Sequence, residues 1–284
     1  MPNAPILEFC NVSLRYDQQW ALQDVSLTLR PGETRVIFGQ AGSGKTTLLK
    51  AVIGLVPVDA GTIRLFGEEV RSLSEDKLYP LRSRTGFLFQ EGGLFDSLTV
   101  GENVEYPILN QQSSKDGGTP ASGNGSDPDS KVREILRFVE LEQTFDSFPS
   151  SLSGGMRRRV GIARAIVTEP PLILYDSPTA GLDPITANTI MALVAKERDV
   201  RNSASLIVTH RYQDGEIMDD FHYDPQQEIL VPLIGEESPK RNRTRFIVMR
   251  NGQMVFEGTR HQMENSQDDY VKQFIRHEDL THAQ

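Results

Sequence analysis

Residues Gly39-Gln40-Ala41-Gly42-Ser43-Gly44-Lys45-Thr46 follow the pattern G-x-x-x-x-G-K-S/T. They stand directly after the apolar run Val36-Ile37-Phe38 and directly before the helical spacing of Thr46 to Leu55. A glycine-rich loop between a buried strand and a helix lets successive backbone N–H groups turn inward around phosphate oxygens, and the helix N-terminus adds partial positive charge. In that setting Lys45 reaches the outer phosphates of a nucleotide and the Thr46 hydroxyl can ligate Mg²⁺. The rest of the chain has to supply the sheet that such a loop needs. Ile6 to Tyr16 and Val25 to Leu29 largely alternate apolar and polar residues, which predicts two half-buried strands joined around Asp17 to Gln19, and Thr62 to Phe66 returns to this antiparallel lobe. Val132 to Leu141 has amphipathic helical spacing, while Leu172 to Tyr175 and Leu206 to Val208 read as buried strands separated by a helix from Thr186 to Arg198. Alternating strands and helices predict an α/β fold: a mostly parallel core sheet, an antiparallel β lobe and a helical subdomain at about residues 91–168.

The 284 residues fit a single domain spanning residues 1–284. No apolar run approaches the roughly 18 residues that span a bilayer. With 39 acidic against 30 basic residues the net charge is -9, which repels a phosphate backbone and argues against nucleic acid as a partner. Cys10 is the lone cysteine, so an intramolecular disulfide or a multi-cysteine metal site is excluded, and the opening MPNAPILEF has neither a basic flank nor a long apolar core. A cytoplasmic location is the expectation. Two stretches break the α/β pattern. Asn110 to Lys131 holds one apolar residue, Ala121, and is expected to be a disordered surface insertion. Residues 211–245 form a second insertion, acidic at Asp219, Asp220 and Asp224 and basic at Lys240, Arg241, Arg243 and Arg245, its basic end expected to be a solvated loop. Asn251-Gly252 between Phe246 to Met249 and Met254 to Phe256 predicts a hairpin, and a helix is expected at about 260–280.

Asp176 ends the strand Leu172 to Tyr175, where a carboxylate can hold Mg²⁺ or simply cap a turn. Leu152-Ser153-Gly154-Gly155-Met156 opens a helical run with Ser153 placed as N-cap, either a plain helix start or a cluster of freed backbone donors. The phosphate loop, Gln90 in Phe87-Leu88-Phe89-Gln90, Leu152 to Gly155, Asp176, Gly181-Leu182-Asp183 and Thr209-His210 occur in an order that resembles the nucleotide-binding subunits of ABC transporters. The resemblance covers roughly residues 6 to 260. It implies the P-loop NTPase fold of an ABC-type nucleotide-binding domain, with ATP and Mg²⁺ as cofactors. The nucleotide would be held by Tyr16 and by Gly39, Gln40, Ala41, Gly42, Ser43, Gly44, Lys45, Thr46 and Thr47, the metal by Thr46, Gln90 and Asp176. Tyr16 resembles the aromatic that stacks on adenine, with Trp20 as its rival. Gln90 and His210 resemble the residues that sense the metal, the attacking water and the γ-phosphate. Ser153, Gly154, Gly155 and Met156 would face the nucleotide of a second copy, or of a related ATPase, in a head-to-tail dimer.

One position departs from that family's pattern. A glutamate normally follows the strand-end aspartate and polarises the attacking water, whereas this chain reads Asp176-Ser177-Pro178. A serine is no comparable base near neutral pH. Slow turnover supported by Gln90 and His210, a base from elsewhere such as Glu91 or Asp183, or a partner ATPase that supplies the glutamate remain open. Leu78-Tyr79-Pro80-Leu81-Arg82, Phe89 to Phe95, Met156, Gly181 to Ile185 and Asp268 to Ile275 resemble the ATPases of Mce/Mla-type phospholipid-transport systems. That likeness implies ABC permease subunits and an Mce-type lipid-binding protein as partners, at the inner face of the cell membrane. A hydrolysis-poor nucleotide-gated clamp and the ATPase of a polar-solute importer stand as alternatives.

Overall fold

Alternating apolar positions make β1 (Leu7–Tyr16) and β2 (Gln19–Leu29) an antiparallel pair, Leu7, Phe9, Val12 and Leu14 inward. The computed structural model describes residues 4–90, 92–115, 127–233 and 243–275. β3 (Thr34–Gly39) is buried along its whole length and runs into the phosphate loop, from which α1 (Lys45–Val52) departs. α1 is shorter than its sequence pattern, because Gly54 adopts φ 65° and turns the chain back. β4 (Ala60–Leu65) and β5 (Glu68–Glu69) complete the lobe in the order β2-β1-β4-β5. α2 (Glu75–Ser83) and β6 (Thr85–Leu88) follow, then α3 (Val100–Lys115), α4 (Pro128–Phe138) and α5 (Gly154–Ile166) form the helical region. β7 (Leu172–Asp176), α6 (Pro184–Arg201) and β8 (Ala204–Val208) return to the core. After α7 (Tyr212–Asp220) come the short antiparallel pair β9 (Phe221–Asp224) and β10 (Ile229–Pro232), the hairpin β11 (Thr244–Arg250) and β12 (Gln253–Gly258), and α8 (Arg260–Glu264) with α9 (Asp269–Lys272).

The core sheet has the order β12-β11-β3-β8-β7-β6, parallel throughout except where β12 runs against β11. Both its faces are covered. Ile37 packs with the lobe and α1, while Val36 and Phe38 face Tyr212, Phe246, Met263 and Val271. A third apolar cluster joins Tyr175 and Ile207 to α3, α4, α5 and α6. The arrangement places the carboxyl ends of β3, β7 and β8 on one edge, the edge where ligands bind in open parallel sheets.

Three expectations are corrected. The stretch Asn110 to Lys131 is helical at both ends: α3 continues to Lys115, and α4 begins at Pro128, a residue favoured in a helix first turn. Polar composition did not prevent this, because Asn110 O accepts from Tyr79 Oη at 2.7 Å and Gln111 Nε2 donates to Ser83 O at 2.5 Å; residues 116–126 lie outside the described residues. The stretch 211–245 folds as α7 and the β9-β10 pair, anchored by buried Tyr212, Met218, Tyr223 and Leu233. Its basic end is partly strand, since Thr244 starts β11, Arg243 O accepts from Thr34 N at 2.8 Å and Arg245 faces Glu257 at 4.0 Å; Lys240 and Arg241 lie outside the described residues. In place of one helix at 260–280 there are two short ones. Thr259 and Gln262 form a capping box for α8, and Asp268 caps α9 anew by accepting from Tyr270 N at 2.8 Å.

Candidate nucleotide-binding site

The loop between β3 and α1 is shaped from both sides. Gly44 has φ 102°, and a Cβ there would stand 2.1 Å from Ala21 O, so the residue before the helix must be glycine. Opposite, a Cβ on Gly39 would stand 2.5 Å from Met249 O. Within the loop the Lys45 ammonium donates to Gly39 O at 2.7 Å, Gln40 O at 2.8 Å and Ser43 Oγ at 3.3 Å. A buried cation is thereby held at the helix N-terminus, the position from which it can meet an anion.

Beside the loop lies a cleft of about 440 Å³. Ala41, Gly42, Ser43, Gly44, Lys45, Thr46 and Thr47 form its floor. Tyr16 and Trp20 both line its outer end, half exposed, with the Arg15 guanidinium 4.8 Å from the Trp20 ring centroid. Gln90, Ser177 and His210 line it as well, so side chains more than a hundred residues apart in sequence converge there. Asp176 sits just behind, 4% exposed at the end of β7, accepting from Ser177 Oγ at 3.2 Å. Gly39 and Gln40 are not in the lining of the cleft, and reach it through their carbonyls, which hold Lys45 Nζ. The donor set near the loop is hard oxygen: a carboxylate at Asp176, a hydroxyl at Thr46 and an amide at Gln90. It suits Mg²⁺ shared with phosphates, and among the described residues no cluster of three or more His, Cys, Asp or Glu forms a dedicated metal cage.

Ser153, Gly154, Gly155 and Met156 are not brought into this cleft. Ser153 caps α5 by accepting from Met156 N at 3.3 Å, and Ser153 and Gly154 are exposed. Gly155 packs on α6, where a Cβ would stand 2.5 Å from Thr186 Cγ2. Asp183 is no base for the cleft either. It caps α6 by accepting from Thr186 N at 3.0 Å, bonds that hold its carboxyl below the ordinary range. Glu91 lies outside the described residues.

Nothing in the sequence marks Asp214, yet it ties the site together. Its carboxylate is fully buried and accepts from Thr179 Oγ1 at 2.6 Å and from Thr209 Oγ1 at 2.5 Å. These threonines follow Ser177 and precede His210, so one acid fixes the exits of β7 and β8 against each other. Only the tertiary fold brings the three together.

Burial sets the site's protonation. It pushes the Lys45 ammonium from its ordinary 10.5 down to about 8, against the pull of Asp176. His210 is likewise lowered, by burial and then by the Lys45 charge against the pull of Asp176, a direction that favours the neutral imidazole. The folded chain therefore binds fewer protons than the unfolded one between about 8 and 10.5, and this lysine makes stability rise with pH across that window. A bound polyphosphate favours the charged lysine. Nucleotide binding is expected to take up a growing fraction of one proton as pH rises from about 7.5 to 9, and affinity is expected to fall above about pH 8. Calorimetry in two buffers of different ionisation enthalpy reads this uptake directly; a pH-independent value near zero would contradict it.

The profile of the ABC transporter family matches residues 22–180, more than half of the chain. The chain belongs to the ABC transporter family. Its fold is that of an ABC-type nucleotide-binding domain: it superposes on the dimeric post-hydrolysis structure of the ATP-binding cassette MJ0796 bound to ADP and Pi with a TM-score of 0.71 and 28% identity, covering 89% of this chain and 98% of that one. Among similar ABC proteins, the methionine import ATP-binding protein MetN of Bifidobacterium longum is 37% identical across 67% of this chain and 45% of its own length. MetN of Brucella abortus is 35% identical across 84% of this chain and 60% of its own length. The chain thus spans about half the length of the curated relatives it matches. Among the described residues no helix is long and apolar enough to cross a membrane.

Proposed function

We propose that this chain is the ATP-hydrolysing motor of a membrane ABC transporter. The observation that carries the reading is the cleft in which Lys45, held on the loop carbonyls, shares one pocket with Gln90, Ser177 and His210, Asp176 lying directly behind. In this reading the amides of Gly42 to Thr47 and the Lys45 ammonium hold the phosphates, and Tyr16 or Trp20 stacks on the base. Thr46, Asp176 and Gln90 would hold Mg²⁺, which neutralises developing phosphate charge. Neutral His210 donates toward the γ-phosphate, and Gln90 orients water. Exposed Ser153 and Gly154 at the tip of α5 complete the site of a second copy, an arrangement supported by the dimeric form of the similar cassette. Closure of two such chains on ATP would supply the stroke.

A second cleft of about 350 Å³ beside Gln90 supports permease docking. It is lined by Tyr79, Phe87, Phe89, Phe95, Tyr106 and Arg164, and four of these aromatics are exposed, which marks an interaction surface. The chain would lie peripherally at the inner face of the membrane under that permease. For the cargo, the methionine-import relatives favour a small polar solute over phospholipid, so the polar-solute importer replaces the Mce/Mla-type reading and its Mce partner as the preferred assignment. Ser177, bonded to Asp176, favours slow turnover and keeps the nucleotide-gated clamp as the second reading.

The decisive experiment is Mg-dependent ATP turnover of this chain co-purified with its permease in lipid nanodiscs, with L-methionine and a solute-binding protein as the probe. Stimulation of twofold or more by L-methionine, with no response to added phospholipid, is the expected result. Stimulation by phospholipid alone would return the assignment to lipid transport, and no turnover under either condition would replace the motor by the clamp.

A further inference from the structure

The C-terminal segment reaches back to the phosphate loop. Tyr270 on α9 places its hydroxyl between two backbone groups, donating to Met249 O at 3.1 Å and accepting the Gln40 N–H at 3.3 Å. The Gln40 side chain adds a second tie, donating Nε2 to Gln273 Oε1 at 3.3 Å. The Tyr270 ring is held in turn. Phe274 meets it edge-on with centroids 5.3 Å apart, and the Arg250 guanidinium stands 5.0 Å from its centroid. Beneath, Val271 is buried in the cluster of Phe38 and Phe246, and Phe274 lies 6.3 Å from Phe38, the residue that leads into Gly39.

The position of that hydroxyl has a stereochemical consequence. Gln40 N–H and Gly39 C=O belong to one planar trans peptide and point in opposite directions. Anchoring the N–H on Tyr270 turns the carbonyl to the other side, where Gly39 O accepts from Lys45 Nζ at 2.7 Å. Met249, whose carbonyl accepts the hydroxyl's hydrogen bond, is the register partner of Gly39 in the parallel β11-β3 pair. The hydroxyl thus couples the end of β11, the first peptide of the loop and the lysine.

We propose that Tyr270 is a positioning residue of the nucleotide site: its hydroxyl fixes the Gly39-Gln40 peptide plane and through it the aim of Lys45 at the phosphates. This rests on the reading of the loop as a nucleotide site. It adds that the C-terminal segment, remote in sequence from every loop residue, sets nucleotide affinity.

Tyr270→Phe keeps the ring and removes the hydroxyl. For the full chain, mant-ADP is expected to bind about fivefold more weakly: of the two hydrogen bonds lost, the one from Gln40 N–H aims the loop, and a single ordinary hydrogen bond is of this size. In the assembled transporter KM for ATP should rise by a similar factor while kcat at saturation stays within about twofold. Met263→Ala is the packing control: it loosens the apolar seat of the C-terminal segment away from the Tyr270 ring with the hydroxyl intact, and should lower Tm while leaving mant-ADP affinity within about twofold. Gln273→Ala, at an exposed position, removes only the tie to the Gln40 side chain and should leave affinity within about twofold; Tyr270→His, which keeps a ring but not the phenolic hydroxyl, should weaken binding about fivefold and keeps the test open if Tyr270→Phe does not fold. Unchanged affinity in Tyr270→Phe, or in Tyr270→His where the former fails to fold, would overturn the proposal, as would an equal loss in Met263→Ala. Wild-type protein that binds no mant-ADP would instead refute the nucleotide reading itself.

Discussion

Lys45→Ala is expected to abolish nucleotide-dependent stabilisation and ATP turnover while leaving the nucleotide-free protein at least as stable as wild type. The two halves of that result come from the same burial. Lys45 is 6% exposed, and its ammonium is held at a cost visible in its depressed proton affinity, with a midpoint of about 8. Alanine removes the cost together with three hydrogen bonds, to Gly39 O, Gln40 O and Ser43 Oγ. Of those acceptors Ser43 lines the cleft and Gln40 is exposed, and the space the lysine side chain leaves opens Gly39 O to water from the cleft. The loss falls on the ligand, because no other cation in the cleft lining replaces the one meeting the outer phosphates. Thermal unfolding with and without Mg-ATP separates the effects: at a ligand concentration of about a hundred Kd, binding adds about 2.7 kcal/mol to the wild type. The variant should show none of this shift and no measurable turnover. A variant that kept both would mean that the loop is not the phosphate site.

The phosphate loop was legible because its whole chemistry lies in consecutive residues, and local geometry forces glycine at positions such as Gly44. The lobe was legible for a similar reason, since Leu7, Phe9, Val12 and Leu14 alternate with polar neighbours. The Asn251-Gly252 hairpin was also legible, both residues adopting positive φ, 51° and 81°. What sequence could not give was pairing across distance. Asn110 and Gln111 read as loop residues until Tyr79 and Ser83 hold them on α3. Tyr212, Met218 and Tyr223 were apolar anchors too widely spaced in a polar stretch to show a period. Asp214 and Tyr270 act on the cleft through contacts separated by up to 230 positions; Asp214 sits in no recognisable motif, and the stretch Asp268 to Ile275 shows in the sequence only as a resemblance that gives Tyr270 no role at the loop. The family resemblance supplied Gln90 and His210 by order alone. Their shared cleft is a property of the sheet, whose strand ends bring β3, β7 and β8 to one edge.

Ser177→Glu is expected to raise ATP turnover of the assembled transporter about 10- to 100-fold, at the lower end of what a positioned general base supplies. The backbone at this position is already fixed. Ser177 N donates to Val208 O at 2.9 Å, and the residue adopts φ 53°, a conformation that costs serine and glutamate alike. Ser177 lines the cleft together with Lys45, Gln90 and His210, so a side chain two carbons longer has that space to extend into. The substitution has a price in charge: a second carboxylate beside Asp176 raises the proton affinity of the pair, which Lys45 partly counters. The rate gain should therefore appear with a pH dependence absent from the wild type, turnover increasing with pH as the new carboxylate ionises. Ser177→Gln supplies the same length without the base and should stay near the wild-type rate. Ser177→Ala should also stay near it, since a hydroxyl committed to Asp176 Oδ1 does no proton transfer to water. If Ser177→Glu and Ser177→Gln are equally slow, the missing carboxylate is not what limits this chain, and the base must come from a partner ATPase or from no residue at all, with phosphoryl transfer carried by positioning and charge.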